Sequence, residues 1–348
     1  MLVGVPDLDA PDPAAVLAAF GEPGEVTAYA EVPGGWSNRV WRLSTPRGDY
    51  AVKELRNAWG EPRWREWLAE GWRLELAARA AGVAMPAPVA NPATGDALAY
   101  VRRSDGSGEV AVRLHLWVAS TAVPREPVDR DLAQWVGGAL ATVHSLALRP
   151  TVTDLYAGRI GLTTADVWPD LVARSRTARA PWAESLVAAE HLARRASALL
   201  EPWDPADEVL CHGDVDQKNL LVAADGPQLC DWDVVLPRLP AHDLAEAAMS
   251  MASWRSVETA AAVLEGYRQG GGAARRLVPS DLGPSLASRL GWIRFTVDRS
   301  LEAHGDGREP TGQQNIAGLL VDLRHRLTVA ESVSEWIDGR LDSTSAES

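Results

Sequence analysis

Three oxygen-bearing side chains, Asp214, Asn219 and Asp231, have the types and spacing to hold a divalent cation beside a reacting hydroxyl. They lie in Leu210-Cys211-His212-Gly213-Asp214-Val215-Asp216-Gln217-Lys218-Asn219, continued by the apolar run Leu220–Val222 and by Leu229-Cys230-Asp231-Trp232-Asp233. The turn Ala224-Asp225-Gly226-Pro227 predicts a hairpin that folds the two halves together and sets Asn219 near Asp231. Mg²⁺ takes a few protein oxygens and keeps its other positions for water and phosphate oxygens. One carboxylate and one amide for the metal, with a further carboxylate to meet a hydroxyl, are what phosphoryl transfer asks of a protein. The alternative for the same residues is a polar hairpin with surface acids.

His-Gly-Asp-x-x-x-x-Asn followed by Asp-Trp-Asp resembles the aminoglycoside phosphotransferase and choline kinase superfamily, small-molecule relatives of the protein kinases. The resemblance implies an α+β, two-lobed protein-kinase-like fold with a β-rich N-lobe and a mainly helical C-lobe. It places a nucleotide-binding lobe at 1–118 and a helical lobe, with the catalytic hairpin 210–233 and the substrate site, at 119–348. Its specific part is confined to Lys53 and 210–233. Protein substrates are disfavoured, because His-Gly-Asp stands where protein kinases carry His-Arg-Asp and no Ala-Pro-Glu segment follows.

The elements that must position these groups begin with a meander: strands at Val26–Val32, Arg39–Ser44 and Asp49–Leu55. The turn Gly34-Gly35-Trp36-Ser37-Asn38 lets backbone N–H groups point at phosphates, although it lacks a full G-x-G-x-x-G. In the third strand, alternation puts Ala51, Lys53 and Leu55 on one face, so Lys53 either snorkels at an edge or looks into a cleft. The resemblance to a kinase Val-Ala-x-Lys strand implies the cleft, with Lys53 on the α- and β-phosphates. It also implies that Val40 and Ala51 cover one side of the adenine and Leu221 the other. A helix over Pro62–Ala81 follows, and the family's helical glutamate falls best on Glu70, with Glu66 in reserve. For both acids a solvated face is the alternative. Strands at Ala97–Arg103 and Val110–Val118 end in the hinge, where backbone groups of Leu116, Trp117 and Val118 would read the adenine edge. Beyond Pro124 the pattern is helical: Asp131–Leu148, an insertion at 166–200 broken at Pro169 and Pro181, then 257–269, 285–303 and 314–339. His144 and Asp243 resemble family positions that support the catalytic loop, and His212 one that packs beneath it.

The totals set the bounds. With 348 residues, 46% hydrophobic and 23% charged, the chain has ordinary globular composition and room for two lobes. No run reaches the ~18 apolar residues of a membrane span. The acidic amino terminus is unlike a secretory leader, so a cytoplasmic protein without a membrane partner is expected. A net charge of −13 argues against nucleic acid and is compatible with a cationic substrate. Two cysteines, Cys211 and Cys230, do not make a disulfide scaffold. Of 34 basic residues only Lys53 and Lys218 are lysine, and both fall inside the motifs. A compact ammonium is not interchangeable with a planar guanidinium, so a functional need for the lysine shape is expected at both places.

The resemblance therefore implies Asp214 as the group that takes or orients the hydroxyl proton, and Asn219 and Asp231 as Mg²⁺ ligands. Lys218 either neutralises γ-phosphate charge or is a solvated loop lysine. Asp233 either supports the metal site or is a surface acid. The expected activity is transfer of the γ-phosphate of ATP or GTP to a hydroxylated small molecule. An antibiotic acceptor leads, such as an aminoglycoside or a nucleoside antibiotic. A metabolic kinase for a sugar, choline-like alcohol or homoserine comes next, and a catalytically silent nucleotide-binding regulator last. Acceptor contacts are expected from 166–200 and 285–303, where Trp292, Phe295 and Asp298 share a helical face.

Overall fold

A computed structural model describes residues 9–22, 24–33, 38–56, 62–152, 162–273, 276–303 and 312–335. The chain divides into two compact units. One comprises Met1–Pro124, Leu146–Leu155 and His212–Leu236; the other comprises Arg125–Ser145, Tyr156–Cys211 and Pro237–Ser348.

The first unit opens with α1 (Pro13–Ala19), started by Asp12, whose carboxylate accepts from Ala14 N (3.0 Å) and Ala15 N (3.2 Å). Such a cap contributes about 1 kcal/mol. Next come β1 (Ala28–Val32), β2 (Arg39–Thr45), β3 (Gly48–Glu54), α2 (Trp64–Ala80), β4 (Pro88–Val89), β5 (Ala99–Arg102) and β6 (Glu109–Leu116). They form an antiparallel sheet of order β1-β2-β3-β6-β4, with β5 also paired to β6. Tyr50 and Val52 of β3 lie on the face where Trp41, Leu43, Val112 and Leu114 bury α1's Val16 and Leu17. Each such side chain contributes about 1.5–3 kcal/mol. Alternation then turns Ala51 and Lys53 to the other face, where both are half-buried. The register sets Lys53 opposite Val40 on one side and opposite Arg113 on the other.

A smaller sheet joins β7 (Ser120–Ala122), β8 (Leu220–Ala223) and β9 (Gly226–Leu229). Ala223 pairs with Gly226, so the hairpin turns on two residues and Gly226 and Pro227 already belong to a strand. The hairpin, expected with the helical lobe, clusters with the large sheet. It pairs with β7, and Leu229 N donates to Ala84 O (2.9 Å). Neither β4 nor β7 was anticipated; two or three residues are too few to display an alternation.

The second unit is helical: α3 (Arg130–Ser145), α4 (Trp168–Thr177), α5 (Ala183–Ala198), α6 (Pro240–Met251), α7 (Val257–Gln269), α8 (Gly283–Ala303) and α9 (Gly312–Glu331). Pro169 does not break the insertion; it sits in the first turn of α4, where its missing N–H costs nothing. Trp168, Leu171, Leu186, Ile293 and Val297 are fully buried in this unit's core. No described helix is long and apolar enough to cross a membrane.

Candidate active site

Two backbone features shape the hairpin loop. Gly213 has φ +80°, and a Cβ there would lie 2.8 Å from Val234 O, so this position of His-Gly-Asp accepts glycine alone without strain. Asp231 adopts the left-handed region at φ 68°, ψ 59°. For a non-glycine residue that costs about 1 kcal/mol, and such strain concentrates at functional sites. The turn after it is clamped by α2. A Cβ on Gly71 would sit 2.6 Å from Trp232 O, and Trp67 Nε1 donates to Val235 O (2.6 Å).

Around this loop the polar groups meet. Asp214 Oδ1 receives Lys218 Nζ at 2.9 Å, and its Oδ2 and main-chain oxygen receive Asn219 Nδ2 at 3.0 and 2.7 Å. Cys230 N donates to Asn219 O (2.9 Å), which ties Asn219 to the residue before Asp231. Lys53 Nζ lies 2.6 Å from Asp231 Oδ1 and 2.5 Å from Asp233 Oδ2. Asp214, Lys218, Asn219, Asp231 and Lys53 therefore converge.

The electrostatics follow from burial and partners. Burial pushes the Asp214 carboxyl above its ordinary range, Lys218 pulls it down and Asp231 adds to the rise. Burial alone would lower the Lys218 ammonium, but the Asp214 and Asp216 carboxylates hold it above its usual range. Lys53 is likewise desolvated, yet Asp231 and Asp233 keep it firmly charged. Burial drives the Cys230 thiol up to about 12, which removes it as a nucleophile.

Asp233 is not a surface acid. It is nine-tenths buried and forms an ion pair with Arg113, which also pairs with Glu75. Glu75 in turn meets His115 Nε2 at 3.0 Å. Burial would raise Asp233, but Lys53 and Arg113 hold its carboxyl far below the usual range. Arg113 and Glu75 were not singled out from the sequence, although an arginine inside Val110-Ala111-Val112-Arg113-Leu114 demands a buried counter-charge.

Glu70 corrects an expectation. Its buried carboxylate accepts from Thr151 N (2.9 Å), Thr151 Oγ1 (2.5 Å) and Arg73 (3.1 Å), while Lys53 is held by Asp231 and Asp233. Glu66, the reserve, pairs with Arg63 at the surface. Glu75 lies five residues beyond Glu70, so on a helix of 3.6 residues per turn the two face different neighbours.

Val40 and Ala51 occupy neighbouring strands beside Lys53, and half-buried Leu221 sits on β8 opposite Gln228. Asn38 accepts from Arg56 N (3.1 Å) at the mouth of the β2–β3 pair. Gly35 and Ser37 lie outside the described residues. At the end of β6, Leu116 N donates to Ala87 O (2.8 Å) and Trp117 N to Asp49 O (2.9 Å). Val118 N, next in the chain, donates to no described backbone oxygen. His212 Nε2 meets Cys230 O (3.1 Å) and packs edge-on against Trp232.

In the helical unit, α4 and α8 border a cleft of about 820 Å³ lined by Leu171, Arg174, Thr177, Arg294, Asp298 and Leu301 among others. Arg174 spans it, 2.7 Å from Asp170 and 2.8 Å from Asp298. Asp298 thus faces the cleft, while Trp292 and Phe295 pack edge to face on each other outside its lining.

Comparison with known proteins bears on family and fold. The profile of the Phosphotransferase enzyme family (APH) matches residues 28–278. No curated protein matches the sequence. Spectinomycin phosphotransferase APH(9)-Ia, solved with ADP and spectinomycin, aligns with a TM-score of 0.64 at 12% identity, over 92% of this chain and 96% of that one. Amicoumacin kinase hAmiN, solved with AMP-PNP, Ca²⁺ and Ami, aligns at 0.59 and 11% identity, over 85% and 87%. A microcompartment-associated aminopropanol kinase aligns at 0.57 and 16% identity, over 94% and 99%. At such identities the likeness is one of fold, α+β and protein-kinase-like.

Proposed function

The chain belongs to the Phosphotransferase enzyme family, and from that premise we propose that it is a small-molecule kinase transferring the γ-phosphate of ATP or GTP to a hydroxyl. The observation that carries this reading is the convergence of Asp214, Lys218, Asn219, Asp231 and Lys53 on one loop. Asp214 takes or orients the hydroxyl proton, and burial has already raised its basicity. Lys218, at 2.9 Å from it, offers the positive charge for the γ-phosphate, and Lys53 offers its own to the α- and β-phosphates.

A hard divalent cation fits the donors present. The Asp231 carboxylate is one-third exposed, and Asn219 commits its amide nitrogen to Asp214, which leaves the amide oxygen as the donor. Bound there, Mg²⁺ supplies neutralisation of charge on the nucleotide's phosphate oxygens. Val40, Ala51 and Leu221 flank the adenine, and Val118 N–H meets its edge.

For the acceptor, the cleft between α4 and α8 is the reading surface. Its ~820 Å³ lies in the ~300–1,000 Å³ range of sites for drug-sized molecules. Its mixed carboxylates and guanidinium groups suit a hydroxylated, amine-bearing compound. An antibiotic acceptor, as in the spectinomycin and amicoumacin enzymes, is therefore favoured over a small metabolic alcohol. A panel of hydroxylated compounds, read by coupled ADP release and product mass, tests this. Phosphorylation of choline, homoserine or aminopropanol alone would overturn the antibiotic assignment, and no transfer to any compound would overturn the kinase reading.

A further inference from the structure

We propose that Arg113 and Glu75 are positioning residues for Lys53, acting through Asp233. The inference rests on the kinase reading above and adds to it the device that holds the phosphate-binding ammonium in place.

The sheet register sets Lys53 of β3 directly opposite Arg113 of β6. Like charges facing each other across two strands repel, so the pair persists only with an anion between them. Asp233 is that anion. It is 2.5 Å from Lys53 Nζ and ion-paired with Arg113. Arg113 is 2% exposed and its second partner, Glu75 of α2, 1% exposed. The line Lys53–Asp233–Arg113–Glu75–His115 therefore runs from the site into the interior.

Lys53 has two carboxylate partners of unlike character. Asp231 is 32% exposed and is the donor proposed for the cation, whereas Asp233 is 9% exposed and held from behind by Arg113. Surrendering Asp231 to a cation leaves Lys53 anchored by Asp233. Asp233 is held back, because leaving would take from the buried Arg113 guanidinium one of its two carboxylate partners. α2 thus influences the lysine through Glu75, Arg113 and Asp233 in series rather than by touching it, while Glu70 on the same helix is spent on Thr151 and Arg73.

The test is a double-mutant cycle on binding of Mg²⁺–AMP-PNP to the full chain by calorimetry, with cooperative melting as the check on folding. Lys53→Met, Arg113→Lys and Asp233→Asn are each expected to weaken binding about tenfold. Lys53→Met combined with either other change should bind no more weakly than Lys53→Met alone. Asp233→Asn, which preserves shape, carries the cycle if Arg113→Lys fails to melt cooperatively. Fully additive losses, or wild-type binding by both Arg113→Lys and Asp233→Asn, would overturn the positioning role and leave the kinase reading standing. A wild-type chain that does not bind the analogue would remove both.

Discussion

Two polar clusters, one in each unit, are both built around aspartate and have opposite character. In the helical unit His144 meets Tyr267 Oη (2.9 Å) and Asp243 (3.2 Å), and both His144 and Asp243 are only 3% exposed. Ligand atoms of His144, Asp243 and Cys211 lie within 4.8 Å of one another. In the sheet unit Asp214, Lys218 and Asp231 keep 33%, 44% and 32% of their side chains open. Polar groups that satisfy one another away from solvent make a brace; those with an open side keep places for a ligand. Burial also drives the Cys211 thiol well above its usual range and the Tyr267 hydroxyl to about 12, so neither serves as nucleophile or base near neutrality.

The contrast breaks most visibly at Asp214. Asp214→Ala should lower turnover by at least ~10²-fold while leaving a cooperatively folded, nucleotide-binding protein; kcat with AMP-PNP binding measured alongside decides it. At the closed cluster the loss falls on stability instead of turnover. Asp243→Asn should cost about 1–3 kcal/mol of stability, read as a lower urea midpoint, while KM values of the folded protein stay near wild type. An unchanged midpoint would show that the cluster is no brace. Lys53→Met should raise the nucleotide KM about tenfold, roughly 1.4 kcal/mol, and leave the acceptor KM alone.

The smallest effect is in alkali. Tyr267 ordinarily ionises near 10 and in the fold near 12, with burial as the main cause. A folded pKa raised above the unfolded one contributes stability that is complete below pH 10 and lost as pH rises through about 12. Tyr267→Phe should therefore flatten the alkaline decline of the melting temperature over that window. An undiminished decline would place the alkaline-sensitive group elsewhere.

What the sequence disclosed, and what it withheld, divides along the same physical line. The hairpin, Lys53's strand face and helix α7 follow from local periodicity and turn chemistry, and the residues they bring together are near in sequence or fixed by alternation. Arg113, Asp233 and Glu75 meet from separate elements, so no window of sequence contains the set. Helical phase alone also failed to choose among Glu66, Glu70 and Glu75, because each has its own neighbour: solvent and Arg63, Thr151, and β6 respectively. The need for glycine at 213 becomes physical only once Val234 O is seen 2.8 Å from where a Cβ would stand.

The proposed chemistry depends most on a divalent cation held by Asn219 and Asp231 on the loop around Asp214. Its most direct test is the Mg²⁺ dependence of phosphate transfer in wild type, Asn219→Ala and Asp231→Asn, titrated side by side. Midpoints displaced to higher Mg²⁺ in both variants are the expected result; curves that overlay the wild type would contradict it.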